Sequence, residues 1–256
     1  MASRGAKGIR LFIGLAIVAF AVLKFCGSEE TNEFTGEKQY IGMSVEEEIA
    51  LGLNATPQMI EQFGGLHPDQ AAQQLVDRVG NKLVESSIAA NSPYKYEFHL
   101  LADGQTINAF ALPGGPCFIT TALFNQLENE DQLAGVLGHE IGHVIAKHSA
   151  ERISQQQLAN GVVTGVSVGT EGMGQAAAAV AQTITMKYGR DDELQSDDLG
   201  VKMMIDAGYN PEEMIGVMKI LKNAAGNNRV PEFQSTHPDP ENRMQRIRES
   251  IEKYKN

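Results

Sequence analysis

The stretch that most constrains this chain is His139–Ser149, which reads HEIGHVIAKHS. Its residue types make chemical sense on a helix, where residues four apart lie one above the other and His139 and His143 face the same way. Two neutral imidazoles so placed can bind one metal ion, and a catalytic zinc keeps one position open for water. Glu140 follows beside the metal, where a carboxylate can take a proton from that water. The pattern therefore predicts a helical site for one Zn²⁺ per chain.

The residues before the motif favour a helix. Asn129 is a cap residue, Glu130 and Asp131 make an acidic first turn, and an apolar stripe follows from Gln132 to Leu137. A cap, an acidic first turn and an apolar stripe are the usual start of a helix. We expect this helix to carry the metal ligands.

A second acidic pair offers the third protein ligand that a catalytic zinc needs. Glu193 and Asp197 are four apart, so a helix would present both on one face. Glu193 could bind the metal, while Asp197 could accept the spare N–H of a ligating imidazole and fix its tautomer. The alternative is an acidic face that is simply solvated.

Histidines near the motif do not offer another ligand. At the metzincin spacing, Ala146 and Ser149 stand where glycine and histidine would be needed. His148 would point away from His139 on a continuous helix, so we expect it to stay out of the metal site.

The last turn of the chain contains a further candidate, His237. The residues from Ser235 to Pro240 read STHPDP and precede a final helix that contains Arg243. His237 could serve the site, either as an oxyanion-stabilising donor or as a latch on the metal. A purely structural turn histidine is the competing interpretation.

The middle of the chain predicts strands. Tyr94–Ala102 and Ile107–Leu112 are separated by Asp103-Gly104, which is typical of a hairpin, and Cys117–Thr120 follows as a third strand. An open edge strand beside a metal can hold an extended peptide by backbone hydrogen bonds, which makes Asn108, Ala109 and Phe110 candidate substrate-binding residues. A plain strand ending at a Pro-Gly turn is the alternative.

The N-terminus predicts a membrane anchor within residues 1–26. Its apolar run from Leu11 to Leu23 is flanked by Arg10 and Lys24, whose side chains can reach toward the interface. Basic residues before such a run stay in the cytoplasm, so the body of the chain is expected on the far side. A cleaved signal or a lipoprotein at Cys26 is the alternative, and lysine and phenylalanine just before Cys26 disfavour lipidation.

After this anchor we expect a polar tether over residues 27–43 and one domain that holds the metal site over residues 44–256. Helices are predicted over residues 44–53 and 68–90. Residues 158–186 are rich in small side chains and predict two closely packed helices or a flap.

Charge excludes one class of partner. Four of the 21 basic residues and none of the 32 acidic ones lie in residues 1–26, which leaves 17 basic against 32 acidic residues, or −15, for the rest. Such a surface repels a phosphate backbone, so no nucleic-acid partner is expected. Cys26 and Cys117 lie in unlike contexts and predict no disulfide.

Taken together, these motifs resemble the HtpX-like zinc metallopeptidases, the gluzincin family that includes prenyl-CAAX endopeptidases and mitochondrial Oma-type proteases, and above all its exported bacterial branch. The segments that carry the resemblance are NAFALPGG at 108–115, HEIGHVIAKHS, Glu193 with Asp197, and STHP at 235–238 with Asn242-Arg243. The family's more usual E-A-D triplet stands here as Gln195-Ser196-Asp197.

The resemblance implies a mainly helical α+β zincin-like fold with a small antiparallel sheet. It implies that His139, His143 and Glu193 bind zinc, that Glu140 is the base, and that His237 and Arg243 line the site. The expected function is a zinc endopeptidase of the cell envelope, anchored in the inner membrane with its domain on the periplasmic side, that cleaves unfolded or misassembled proteins. The alternative is a tethered chaperone or assembly factor with a latched zinc site.

Overall fold

The computed structural model describes residues 4–170, 189–225, 233, 237 and 242–255, and it is mainly helical with two small sheets, which confirms the predicted α+β class. The helices are α1 (Arg4–Cys26), α2 (Val45–Gln62), α3 (Gln70–Glu85), a 3-10 turn (Ile88–Asn91), α4 (Thr121–Phe124), α5 (Glu130–Ile145), α6 (His148–Thr170), α7 (Arg190–Asp206), α8 (Glu213–Ala225) and α9 (Arg243–Lys255). The strands are β1 (Glu29–Thr31), β2 (Lys38–Tyr40), β3 (Glu97–Leu101), β4 (Ala109–Ala111) and β5 (Pro116–Thr120).

The chain divides into two compact units. The first contains residues 1–44 and 150–187, and the second contains residues 45–149 and 188–256. This division differs from the predicted order of anchor, tether and domain, because residues 150–187 group with the N-terminal region. The predicted small-residue segment 158–186 is helical up to Thr170, and its remaining residues lie outside the described ranges.

The first unit is built around α1, whose segment Lys7–Cys26 is long and apolar enough to cross a membrane, as a signal sequence also can be. At 1.5 Å per residue, 20 residues span about 30 Å, the thickness of a hydrocarbon core. We expected a polar tether over 27–43, whereas the structure forms a β1–β2 hairpin there. The Tyr40 ring stacks on Phe25 at 4.7 Å, and the Gly42 N–H donates to Ser154 Oγ at 2.8 Å, so this segment is packed within its unit.

The sheet of the second unit has the order β3-β5-β4, with β3 parallel and β4 antiparallel to β5. The predicted hairpin between β3 and β4 is therefore wrong. All five residues of β5 are buried, so this strand takes the central position, where both of its edges are paired and both faces are covered. Strand β4 is left at an edge of the sheet.

Helix α5 runs through the core of the second unit, and every residue from Gln132 to Ile145 is buried. As predicted, Asn129 caps it by accepting a hydrogen bond from the Gln132 N–H. Its Gly142 permits a close approach of α7, because a Cβ there would lie 2.9 Å from Ser196 O and 3.0 Å from Ser196 Cα. Two helix backbones in such contact bring residues from both helices into one site.

Two predicted helices have different limits in the structure. The helix predicted over 44–53 continues to Gln62, with Pro57 inside it. The helix predicted over 68–90 is shorter, because Asp69 caps its start and accepts from the Ala71 and Ala72 N–H groups.

Candidate metal centre

Four buried side chains converge where α5 meets α7. They are His139 and His143 of α5, Glu193 of α7, and His237, and one donor atom from each lies within 4.8 Å of all the others. The Nε2 atoms of the two α5 histidines are 3.0 Å apart, and each lies 3.4 Å from an oxygen of Glu193. Tetrahedral zinc sites with bonds of 2.0–2.1 Å have ligand atoms about 3.3 Å apart. The spacing of these donors therefore fits a tetrahedral metal ion.

Buried oxygens around the same point strengthen this fit. Both oxygens of Glu140 are buried and have no hydrogen-bond partner among the described residues. A buried carboxylate oxygen without a partner is costly, so each such atom needs an explanation, which an ion or a water supplies. Two imidazoles and a carboxylate are a donor set that a divalent metal of the zinc type accepts.

Asp197 and Arg243 support the site from behind His139. His139 Nδ1 donates to Asp197 Oδ1 at 2.8 Å, so the neutral ring keeps its proton on Nδ1 and Nε2 is the nitrogen that can bind a metal. Arg243 donates two hydrogen bonds to the same carboxylate, from Nε at 2.7 Å and from Nη2 at 2.9 Å. All three side chains are buried, so the orientation of His139 is fixed.

The titration of these groups follows their surroundings. Burial alone would lower the pKa of His139, but its hydrogen bonds to Asp197 and Glu193 outweigh burial and raise it to about 9. Burial lowers the pKa of His143 well below its usual value. Burial would raise the pKa of Glu193, but His237, His139 and His143 outweigh it and hold that pKa far below its usual range. The centre therefore holds a carboxylate and attracts a cation.

Glu140 differs from Glu193 in the direction of its pKa shift. Burial raises the pKa of Glu140 above its usual value, although His237 and His139 act in the opposite direction. A carboxylate with a raised pKa is a stronger base, which is the property that a general base near neutral pH requires. Glu140 follows His139 directly, so helical geometry holds it beside the donor cluster.

His237 lies inside the donor cluster. Its Nδ1 is 2.9 Å from Glu193 Oε1 and 3.4 Å from His139 Nε2, and its Nε2 is 3.9 Å from Glu140 Oε1. The ring stacks on Phe233 at 4.4 Å, and the His237 N–H donates to the Phe233 carbonyl at 2.7 Å. One nitrogen of His237 is thus in the range of a metal ligand.

The candidate substrate-binding residues lie in or just before β4, which packs against α5. Asn108 and Ala109 are buried, and the half-buried Phe110 ring stacks on Phe118 at 4.7 Å. The Asn108 carbonyl accepts from the Thr120 N–H, and the Leu112 N–H donates to the Pro116 carbonyl, so both residues bond to β5 through their backbone. Backbone groups alternate in direction along an antiparallel strand, so those of Ala109 and Ala111 point away from β5. The Ala109 and Ala111 backbone groups therefore face the edge of β4 that is not paired with β5.

Two residues of the site were missed in the sequence. His148 was expected to point away, yet its Nδ1 lies 2.8 Å from His143 Nδ1. The reason is Lys147, whose φ of 58° ends α5 and starts α6 in a new direction. No glycine or asparagine marks this break, so the sequence contains no signal for it. Gln195 of α7 completes the contact, with Oε1 at 2.9 Å from His148 Nε2.

Comparisons with known proteins agree with this geometry. Residues 70–251 match the model of Peptidase family M48. A beta-barrel assembly-enhancing protease of Yersinia pestis is 29% identical over 226 residues, covering 83% of this chain and 46% of that protein. The protein of the same name from Escherichia coli is 27% identical, covering 86% and 47%. The mitochondrial metalloendopeptidase OMA1 of Schizosaccharomyces pombe is 26% identical, covering 84% and 64%. The chain spans about half the length of the first two relatives.

Proposed function

Because this chain belongs to peptidase family M48, we propose that it is a zinc-dependent endopeptidase. The observation that carries the proposal is the buried cluster of His139, His143 and Glu193, with the carboxylate of Glu140 beside it. Two imidazoles and one carboxylate, with one position left for water or substrate, are the ligand set of catalytic zinc in peptidases. A bound zinc ion would polarise the scissile carbonyl and make water a better nucleophile at neutral pH.

The proton transfers are assigned to Glu140. Its carboxylate takes a proton from the attacking water and then gives it to the amine that leaves when the peptide C–N bond breaks. The raised pKa of Glu140 makes its carboxylate a stronger base, which suits it to the first step. The carboxylic acid formed in that step is then the proton donor for the leaving amine. Burial of both of its oxygens excludes bulk water from this transfer.

An extended peptide is the proposed form of the substrate. Strand β4 is an edge strand, and the backbone groups of Ala109 and Ala111 face away from β5, so a peptide could pair with them. Such pairing recognises backbone rather than particular side chains, which suits unfolded or misassembled proteins as substrates. Asn108 and Phe110 would then hold the strand in place from its β5 side and from the Phe118 stack.

The proposed location is the cell envelope. Arg4, Lys7 and Arg10 precede or begin the apolar segment of α1, which favours a cytoplasmic N-terminus and an extracytoplasmic catalytic unit. The beta-barrel assembly-enhancing name of two relatives is compatible with quality control of envelope proteins.

A second candidate function is supported by His237. Its Nδ1 is 2.9 Å from Glu193 Oε1, so a neutral His237 could be a fourth ligand and hold the centre in a latched state. A latched protein could bind unfolded clients as a chaperone or assembly factor without cleaving them. This alternative and the peptidase use the same metal ligands and differ in what occupies the fourth position.

The experiment that separates the two candidates is degradation of an unfolded protein such as casein by the full chain in detergent, with and without a chelator of zinc. The proposed peptidase degrades casein, loses this activity with the chelator and regains it when zinc is added back. Retained activity with the chelator would contradict a metal-dependent mechanism. Suppressed casein aggregation without cleavage, at full zinc occupancy, would favour the latched chaperone.

A further inference from the structure

The two imidazole ligands of the candidate metal centre are supported in different ways. His139 donates to the Asp197 carboxylate, which can only accept and is itself held by Arg243. His143 instead faces a second imidazole, with 2.8 Å between His143 Nδ1 and His148 Nδ1. An imidazole nitrogen can donate or accept, so the tautomer of His143 depends on the groups behind His148.

The residue behind His148 is Gln195, which completes a chain of three side chains. His148 Nε2 lies 2.9 Å from Gln195 Oε1, and both histidines are buried. Two protonated nitrogens cannot face each other at 2.8 Å. One of the two Nδ1 atoms, of His143 or of His148, therefore carries a proton, and the other accepts a hydrogen bond from it. The His143–His148–Gln195 chain therefore has two possible directions.

Only one direction permits metal binding. His143 turns Nε2 toward His139 and Glu193, so a metal there requires the proton of His143 on Nδ1. His148 Nδ1 must then accept, and His148 Nε2–H must donate to a carbonyl oxygen of Gln195. If the Gln195 amide turns round, its NH₂ donates to His148 Nε2, and the reversed chain leaves a proton on His143 Nε2, where it blocks the metal.

Two neighbours favour the metal-binding direction without fixing it. Asp192 Oδ1 lies 3.9 Å from His148 Nε2, and a carboxylate there favours a proton on that nitrogen. Ser196 Oγ lies 3.3 Å from His148 Nδ1, where a hydroxyl can donate or accept and so tolerates either direction. Gln195 Oε1, at 2.9 Å, lies closer to His148 Nε2 than Asp192 does, and the Gln195 amide presents a donor and an acceptor of nearly equal shape.

The position of His148 is itself built into the fold. Lys147 adopts a φ of 58°, which L residues rarely adopt, and its Nζ lies 3.3 Å from the buried Glu48 carboxylate. The Tyr94 hydroxyl donates to the same carboxylate at 2.9 Å. These contacts support the turn that brings His148 back to His143 instead of letting the helix carry it away.

We propose that His148 and Gln195 are positioning residues that set the tautomer of His143. Because the Gln195 amide can turn round, the metal is bound less tightly than it would be with a group at position 195 that can only accept a hydrogen bond. The inference rests on the proposed function only in taking His143 as a metal ligand. It predicts that the metal affinity of this chain can be raised from a position that touches no metal.

The test measures the zinc dissociation constant of the full chain in detergent, by competition with a chromophoric chelator at fixed pH. The variants are Gln195→Glu, His148→Ala and the double variant. Glu accepts only, so Gln195→Glu should bind zinc about tenfold more tightly, and His148→Ala should bind it about tenfold to a hundredfold more weakly, the usual range for outer partners of ligands. In the His148→Ala background, Gln195→Glu should have no effect, because the group that transmits it is gone.

The double variant also controls for charge. A new carboxylate could attract zinc simply by its charge, and it would then tighten binding equally with and without His148. That outcome overturns the proposal, as does unchanged zinc affinity in His148→Ala. His99→Ala is the matched control, since His99 is a mostly buried histidine that stacks on Phe118. The zinc affinity of this variant should equal that of the wild type.

His148→Asn covers the case in which His148→Ala does not fold, as judged by circular dichroism. Its amide oxygen can take the place of Nδ1 and accept from His143, so it should restore zinc affinity to within about threefold of wild type and make it insensitive to Gln195→Glu. A weak-binding but folded His148→Asn contradicts the assigned direction of the chain. Zinc affinity is measured without substrate, so failure of the peptidase proposal would show in the casein assay and not here.

Discussion

The Nε2 atoms of His139 and His143 lie 3.0 Å apart in the buried core of the second unit. Asp197 accepts a hydrogen bond from His139 Nδ1–H, so in the neutral ring Nε2 of His139 presents a lone pair to the same point as Nε2 of His143. Two lone pairs directed at one buried point repel each other unless a proton or a metal lies between them. The following predictions test which of these groups hold the metal and which do the chemistry.

Replacement of the proposed base should separate chemistry from metal binding. Glu140→Gln keeps the size of the side chain but cannot take a proton, so hydrolysis of casein should fall about a hundredfold or more. Zinc content, measured by elemental analysis of the same preparation, should stay at one per chain because Glu140 is not a proposed ligand. Near-normal turnover in this variant would remove Glu140 from the mechanism.

Replacement of the proposed third ligand should release the metal. Glu193→Ala leaves two imidazoles, which hold zinc far less well than three protein ligands, so the variant should lose zinc on dialysis against a mild chelator. Asp197→Ala should keep zinc but bind it about tenfold to a hundredfold more weakly, because Asp197 acts through His139. Full occupancy in Glu193→Ala would place the third ligand elsewhere.

The close contact of α5 and α7 gives a prediction about stability. In Gly142→Ala the new methyl group would lie 2.9 Å from Ser196 O, so α7 must move and the free energy of unfolding should fall by about 1–3 kcal/mol. The shift should also weaken zinc binding, because Glu193 is on α7. Gly104→Ala is the control, since nothing lies within 4 Å of its added methyl group. Chemical denaturation of both variants measures the difference, and equal stability would contradict the contact.

The raised pKa of His139 predicts that metal binding depends on pH. Metal-free His139 is protonated below its pKa of about 9, whereas a ligand must be neutral, so zinc binding at pH 7 should release about one proton from it. Zinc affinity should therefore rise as pH increases from 7 to 9, as measured by calorimetry in buffers of different ionisation enthalpy.

The same pKa has the opposite consequence for the metal-free fold. A histidine whose folded pKa is raised from 6.5 to about 9 stabilises the fold fully below pH 6.5, and this contribution is lost as pH rises through 9. The Tm of metal-free protein should thus fall over the range in which zinc affinity rises. The difference in Tm between zinc-bound and metal-free protein should therefore widen from pH 7 to pH 9. A difference that narrows would contradict the raised pKa of His139.

His237 has two functional interpretations with opposite predictions. As an oxyanion-stabilising donor it should be needed, and His237→Ala should lower turnover about a hundredfold to a thousandfold. As a latch on the fourth position, its removal should raise turnover, and the 2.9 Å distance from Nδ1 to Glu193 favours this second result. Turnover of one peptide by both proteins, with zinc content checked, decides between them, and unchanged turnover would leave His237 a structural role.

The sequence by itself determined the features that depend on spacing within a few residues. Helix geometry fixes which residues share a face over one turn, so the capped helix α5 and the pairing of His139 with His143, and of Glu193 with Asp197, could be predicted from spacing. The resemblance to the HtpX-like peptidases and the mainly helical α+β class are likewise confirmed. The motifs that carry the resemblance are short stretches of sequence, and the family match covers residues 70–251.

Only the tertiary structure decided the relationships between distant parts of the chain. Strand β5 displaced the predicted hairpin because it is the most buried strand, and burial is settled by competition among all strands. The turn at Lys147 brings His148 to His143 although no turn-forming residue marks it, because contacts with Glu48, about a hundred residues earlier, support it. Distances between residues far apart in sequence depend on how closely backbones approach, as at Gly142 and Ser196, and spacing along one helix contains no information about that approach.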